Sequence, residues 1–149
     1  MGYPDWDANL LVVAATFAAV AMAVLVHYEG LSFISGRLAR RREHYSRRKV
    51  LYAIFGVLGL HVVEIWILGI TLWALLHYPD AGSAVGMPVV NLLDCIYLSA
   101  ESFSTVGFGD ISPQGPIRFL AGTTSLTGFV LITWSASFTY LEMERFWRR

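Results

Sequence analysis

Along the chain, apolar positions gather into three long runs separated by polar breaks. The first, residues 10–26, is interrupted only by Thr16. As a helix rising ~1.5 Å per residue it would measure about 26 Å, at the short end of what spans a bilayer. The second, residues 50–76, would measure about 40 Å, longer than the hydrocarbon core of roughly 30 Å, so it is expected to tilt or protrude. The third follows Pro116 and covers residues 117–140. These runs predict three transmembrane helices. Between the second and third the pattern differs. Pro79, Asp80, Gly82, Gly86 and Pro88 break residues 77–90 into an external loop. Asn91 then caps a short helix reaching Phe103, with Asp94 favourably placed in its first turn. That helix is too short to cross, so the chain is expected to enter the membrane and return through the loop 104–110. The fold class that follows is all-α integral membrane, with three transmembrane helices and a re-entrant helix and loop. Residues 1–30 form a tail and a peripheral helix, whose alanines at 14, 15, 18, 19, 21 and 23 suit close helix contact. Residues 31–49 form a basic linker. Residues 50–149 form a module of outer helix, re-entrant helix, loop and inner helix.

Composition agrees with the pattern: hydrophobic residues make up 56% of the chain and leave little for a soluble domain. The net charge is zero but unevenly spread, for seven of the eleven Lys and Arg lie within residues 37–49. The positive-inside rule places that segment and the C-terminal end in the cytoplasm. The N-terminus is then outside and the loop 104–110 opens outward, and the membrane is expected to be the plasma membrane. Asp5 and Asp7 carry the wrong charge for the start of a secretory signal. Leu31, Ile34 and Leu38 recur at helical intervals beside Arg37, Arg40, Arg41 and Arg42. This segment reads either as an amphipathic helix on the membrane surface, in contact with anionic lipid, or as a solvated basic loop. Its arginines stand between spans, whereas a voltage sensor carries them within one, and no nucleic-acid partner is expected. Cys95, the single cysteine, cannot form an intrachain disulfide and is expected to be a free core thiol.

The loop itself reads Ser104, Thr105, Val106, Gly107, Phe108, Gly109, Asp110. Irregular backbone at membrane depth is tolerated only where it is buried in protein or lines a water-filled path. Gly107 and Gly109 open dihedrals closed to other residues, so that successive carbonyls can turn toward one axis. A dinucleotide fingerprint fails, because its third glycine would fall at Ser112 and no strand and helix flank it. The run from Thr105 to Asp110 resembles the signature of potassium channels, whose usual form is TVGYG. Phe108 is the one departure, lacking the hydroxyl through which a tyrosine can bond the surrounding helix. The resemblance continues through Tyr97, Leu98, Ser99, Ala100, Glu101, Ser102 and Phe103 and covers roughly residues 50–141.

That resemblance implies a passive potassium-selective channel. Carbonyls of Thr105, Val106, Gly107 and Phe108, in a filter closed by Gly109, would coordinate dehydrated K+, with no other cofactor. Four chains would surround the axis as a homotetramer. Glu101 would stand behind the filter facing Asp110, two carboxylates close enough to share a proton, with the Tyr97 hydroxyl in reach of Asp110. Gly128 falls near the hinge glycine of inner helices once one residue fewer is allowed, and it reads equally as a close-packing contact. Under the hinge alignment Phe129, Ile132, Ala136 and Tyr140 line the pore. The alternatives are a non-conducting pore-like membrane subunit and a weakly selective cation channel.

His61 and Glu64 lie in the second span, where an isolated charge costs a few kcal/mol. Three residues apart, they share a helical face. They are expected to form a structural polar pair facing another helix; a proton-sensitive site, or a metal site with outside ligands, is the alternative. Two ligands do not make a zinc site. They do not complete a catalytic set either, and no enzyme is expected.

Overall fold

The computed structural model describes residues 6–40, 47–86 and 91–147. In chain order the elements are α1 (Trp6–Arg40), α2 (Arg47–Leu76), β1 (Ser83–Val85), α3 (Leu92–Phe103), β2 (Ser112–Gln114), a 3-10 turn (Gly115–Ile117) and α4 (Arg118–Trp147). Of these, α1, α2 and α4 are each long and apolar enough to cross a membrane, and the chain is a membrane protein. The first residues of the tail, the basic residues 41–46 and the loop residues 87–90 with Pro88 lie outside the described residues.

The expected boundary at residue 30 is corrected, because α1 runs unbroken for 35 residues. Its buried positions form a single stripe: Ala8, Val12, Thr16, Ala19, Ala23, His27, Leu31, Ile34 and Leu38. Spacings of three and four keep these side chains on one helical face. Leu31, Ile34 and Leu38 are therefore the lower end of the face that α1 buries against protein, and residues 31–40 are neither a separate surface helix nor a loop. Ile34 and Leu38 pack with Ala53 of α2, with Leu60 and Phe138 alongside. Arg37 stays exposed on the opposite side, its guanidinium 4.5 Å from the centre of the Phe33 ring.

The short helix α3 forms as its sequence predicts. Asn91 Oδ1 accepts from the Asp94 N–H at 3.0 Å and Asp94 Oδ2 accepts from the Asn91 N–H at 3.0 Å, a reciprocal capping box. Its buried residues are Cys95, Leu98, Ser99, Glu101 and Phe103. Toward α2, the Ser99 hydroxyl donates to the Ile65 carbonyl at 3.1 Å. Toward α4, the Phe103 carbonyl lies so close to Gly128 that any Cβ there would collide with it. Gly128 is thus a packing contact that seats the end of α3, and α4 stays helical through it.

The external loop holds an element that its breakers did not suggest. β1 pairs antiparallel with β2, Ser83 opposite Gln114 and Val85 opposite Ser112. The Ile117 N–H also donates to the Ala81 carbonyl at 3.0 Å. Both ties clip the segment leaving the loop 104–110 to the segment entering α3. Hydroxyls within the long helices mostly bond the carbonyl one turn back, as Thr16 does to Val12 and Thr127 to Thr123. Among the described residues no buried side-chain nitrogen or oxygen lacks a partner.

Candidate functional site

Beyond α3 the chain turns its amides back onto one residue. The N–H groups of Val106 and Gly107 donate to the Glu101 carbonyl at 3.0 and 3.3 Å. The next, that of Phe108, donates to the Glu101 carboxylate at 3.2 Å. A trans peptide is planar, with its C=O directed opposite to its N–H, and no peptide among the described residues is cis. The carbonyls of Thr105, Val106 and Gly107 must therefore all point away from Glu101, toward the same side. In an ordinary strand they would alternate. Here φ alternates instead: it is positive at Thr105 (59°), Gly107 (56°) and Gly109 (79°), and not at Val106 or Phe108. The glycines adopt this freely. For a β-branched residue such as Thr105 it is an outlier, with a cost of about 1–3 kcal/mol. The loop is exposed throughout, and at Gly107 and Gly109 a Cβ would meet nothing within 4 Å.

Two side chains hold the loop's outer end. The Tyr97 hydroxyl bonds the Asp110 carboxylate, 3.0 Å from one oxygen and 3.1 Å from the other. Desolvation, then the bond to Asp110, pushes this phenol up to about 12, so it remains a donor. The ring of Phe108 lies parallel to that of Tyr97, with centroids 6.5 Å apart and planes within 4°, so Phe108 is held by its face. The expected shared proton between Glu101 and Asp110 is corrected: no hydrogen bond joins the two carboxylates. Buried Glu101 is occupied by the Phe108 amide, and Asp110 by Tyr97.

On α4, Phe129, Ile132, Ala136 and Tyr140 all lie on the exposed side, while Thr127, Leu131 and Ser135 are buried against the rest of the chain. Cys95 is a buried free thiol, pushed up to about 11 by burial and then by the charge of Asp94, which leaves it unreactive.

Away from the loop, His61 and Glu64 of α2 meet His27 of α1. Glu64 Oε1 is 2.7 Å from His27 Nδ1, and Oε2 is 2.9 Å from His61 Nδ1. The side chains of His27 and Glu64 are fully buried and that of His61 is 13% exposed. The far nitrogen of His27, Nε2, is 3.4 Å from the Ser135 hydroxyl of α4. The His61 ring also packs on Phe103, with centroids 5.6 Å apart, so the cluster abuts the end of α3. His27 escaped the sequence reading because it follows the expected end of the first apolar run. Its signal was its place on the stripe Ala19, Ala23, His27, Leu31. Ser135 offered none.

Residues 50–143 match a family model described as ion channel. Protein LctB of Geobacillus stearothermophilus is 31% identical over 67 residues, an alignment that covers 45% of this chain and 50% of that protein. The chain thus spans about half the length of this curated relative. No solved structure matches.

Proposed function

This chain belongs to the ion channel family, which is not a family of enzymes, and from that premise we propose that four copies of it form a potassium-selective channel. The observation that carries the proposal is the turning of three successive amides toward Glu101, which leaves three successive carbonyls facing the open side. Oxygens at close, regular spacing can replace the water around a dehydrated cation. One chain supplies them on one side of an ion only, and a homotetramer surrounds it. Residues 105–109 are then the selectivity filter, with K+ at Thr105, Val106, Gly107 and Phe108 and no other cofactor. Tyr97, Glu101 and Asp110 brace it.

In this reading α3 is the re-entrant pore helix, its negative dipole end directed at a central cavity. α2 is the outer helix, and α1 is peripheral. α4 is the inner helix, lining the pore with Phe129, Ile132, Ala136 and Tyr140. The N-terminus and the outer end of the filter face the exterior of the plasma membrane. The C-terminus faces the cytoplasm, where residues 37–49 meet anionic lipid.

The test is purified protein in liposomes. A K+ flux absent from empty liposomes, with a reversal potential near that of K+ in mixed K+ and Na+, is expected. Intact tetramers without flux would leave a non-conducting subunit. A reversal potential near zero, with K+ on one side of the bilayer and the same concentration of Na+ on the other, would leave a weakly selective cation channel.

A further inference from the structure

We propose that His27, His61 and Glu64 form a binding site for a divalent transition-metal ion of the zinc class, one per chain, set between α1, α2 and α4. Each residue offers one ligand atom, and these atoms all lie within 4.8 Å of one another. Two imidazoles and a carboxylate are a known zinc donor set, which leaves a fourth position for water. Imidazole selects zinc and its first-row neighbours over magnesium and calcium, which prefer oxygen alone. For two ligands each about 2.05 Å from a tetrahedral ion, the ligand atoms stand roughly 3.3 Å apart. The two nitrogen-to-oxygen distances, 2.7 Å to Oε1 and 2.9 Å to Oε2 of Glu64, are close to that spacing, and no two of the ligand atoms stand more than 4.8 Å apart.

The protons balance within the two rings. Without an ion, each Nδ1–H donates to one Glu64 oxygen. Coordination through Nδ1 needs the other neutral tautomer, with its hydrogen on Nε2, so no proton need leave. For His27 that hydrogen has an acceptor waiting, because Ser135 Oγ lies 3.4 Å from Nε2. An oriented far nitrogen is what a metal-bound histidine needs. The membrane setting adds a charge argument. A carboxylate enclosed at 0% exposure is costly unless its charge is met, and a divalent cation meets it. His61 is the one partly exposed member of the set.

The experiment uses the full-length protein in detergent micelles, stripped with a chelator and dialysed against Zn2+, with bound metal counted by mass spectrometry. One ion per chain is expected. His27→Ala, His61→Ala and Glu64→Gln should each weaken binding by about 100-fold or more, and Ser135→Ala by roughly tenfold. His44→Ala, His77→Ala and Cys95→Ser should bind as the parent does. Co2+ in place of Zn2+ should give the intense visible absorption of a tetrahedral site in the parent and lose it in Glu64→Gln. Since a variant that loses the cluster can lose its fold, thermal melting supplies a second reading. Zn2+ should raise the Tm of the parent and leave that of a folded His27→Gln unchanged. A parent that retains no Zn2+, binding that survives in His27→Ala and Glu64→Gln, or an equal Tm rise in parent and His27→Gln would each overturn the assignment.

Discussion

The loop 104–110 and the His27, His61 and Glu64 cluster treat polar groups in opposite ways, though His61 packs on Phe103, the last residue of α3. In the loop, N–H groups are consumed by one residue, Glu101, so that carbonyls are left free. In the cluster, the carboxylate is enclosed and both its oxygens are taken. The loop is held by backbone conformation, including a left-handed Thr105. The cluster is held by partners that lie 37 and 108 residues apart in sequence. A backbone group can be presented by local chain geometry. The Glu64 carboxylate draws one of its two partners, His27, from another helix.

The contrast breaks most sharply at the glycines. Gly107→Ala or Gly109→Ala forces a left-handed conformation on a residue with a Cβ, with nothing nearby to clash. Loss of selective K+ flux in liposomes, with insertion and melting close to those of the parent, is expected. The cluster should answer in stability instead. In chelated protein, Glu64→Ala strands two imidazole donors and should cost about 2–4 kcal/mol, seen as a lower Tm, while Glu64→Gln keeps an acceptor and costs less. An equal Tm for parent and Glu64→Ala would count against the cluster as a structural tie.

Gly128 joins the two regions, since it seats the end of α3 on α4. Gly128→Val should push on the Phe103 carbonyl and cost about 1–3 kcal/mol. Gly122→Val, on the same helix with nothing within 4 Å of its Cβ position, should melt near the parent. The smallest effects concern the braces. Glu101→Ala should alter inactivation in single-channel records more than Tyr97→Phe, because Glu101 holds the backbone itself. The Tyr97 contribution has a defined pH window. Its pKa is raised from 10.0 to about 12 in the fold, so the stability it adds is complete below about pH 10 and fades as pH rises toward 12. Parent and Tyr97→Phe should therefore converge in Tm at strongly alkaline pH.

Much of this was legible in advance because it depends on near neighbours. The capping box at Asn91 and Asp94, the length of α3, the end of α2 at Leu76 and the glycine spacing at 107 and 109 each involve residues a few positions apart. The continuity of α1 was harder. Arg37 and the basic residues after it suggested a new segment, yet Arg37 stands on the exposed side of a helix whose stripe from Ala8 to Leu38 never breaks. Charge composition hid the periodicity there. Thr105 gave no warning of its positive φ, for nothing in a threonine marks it as a residue that others will force.

The amino-acid order alone carries three runs long and apolar enough to cross a membrane, a short capped helix too brief to cross, and a glycine-spaced loop after it. Apolar run length, capping chemistry and backbone freedom are local properties written residue by residue. It took the packed fold to show that Glu101 takes the loop amides while Tyr97 takes Asp110, that Gly128 seats Phe103, and that His27 and Ser135 complete the pair on α2. Each of these is a choice among polar partners that a chain makes when burial has removed water as the alternative. That removal follows from which helices pack together, which no window of sequence contains.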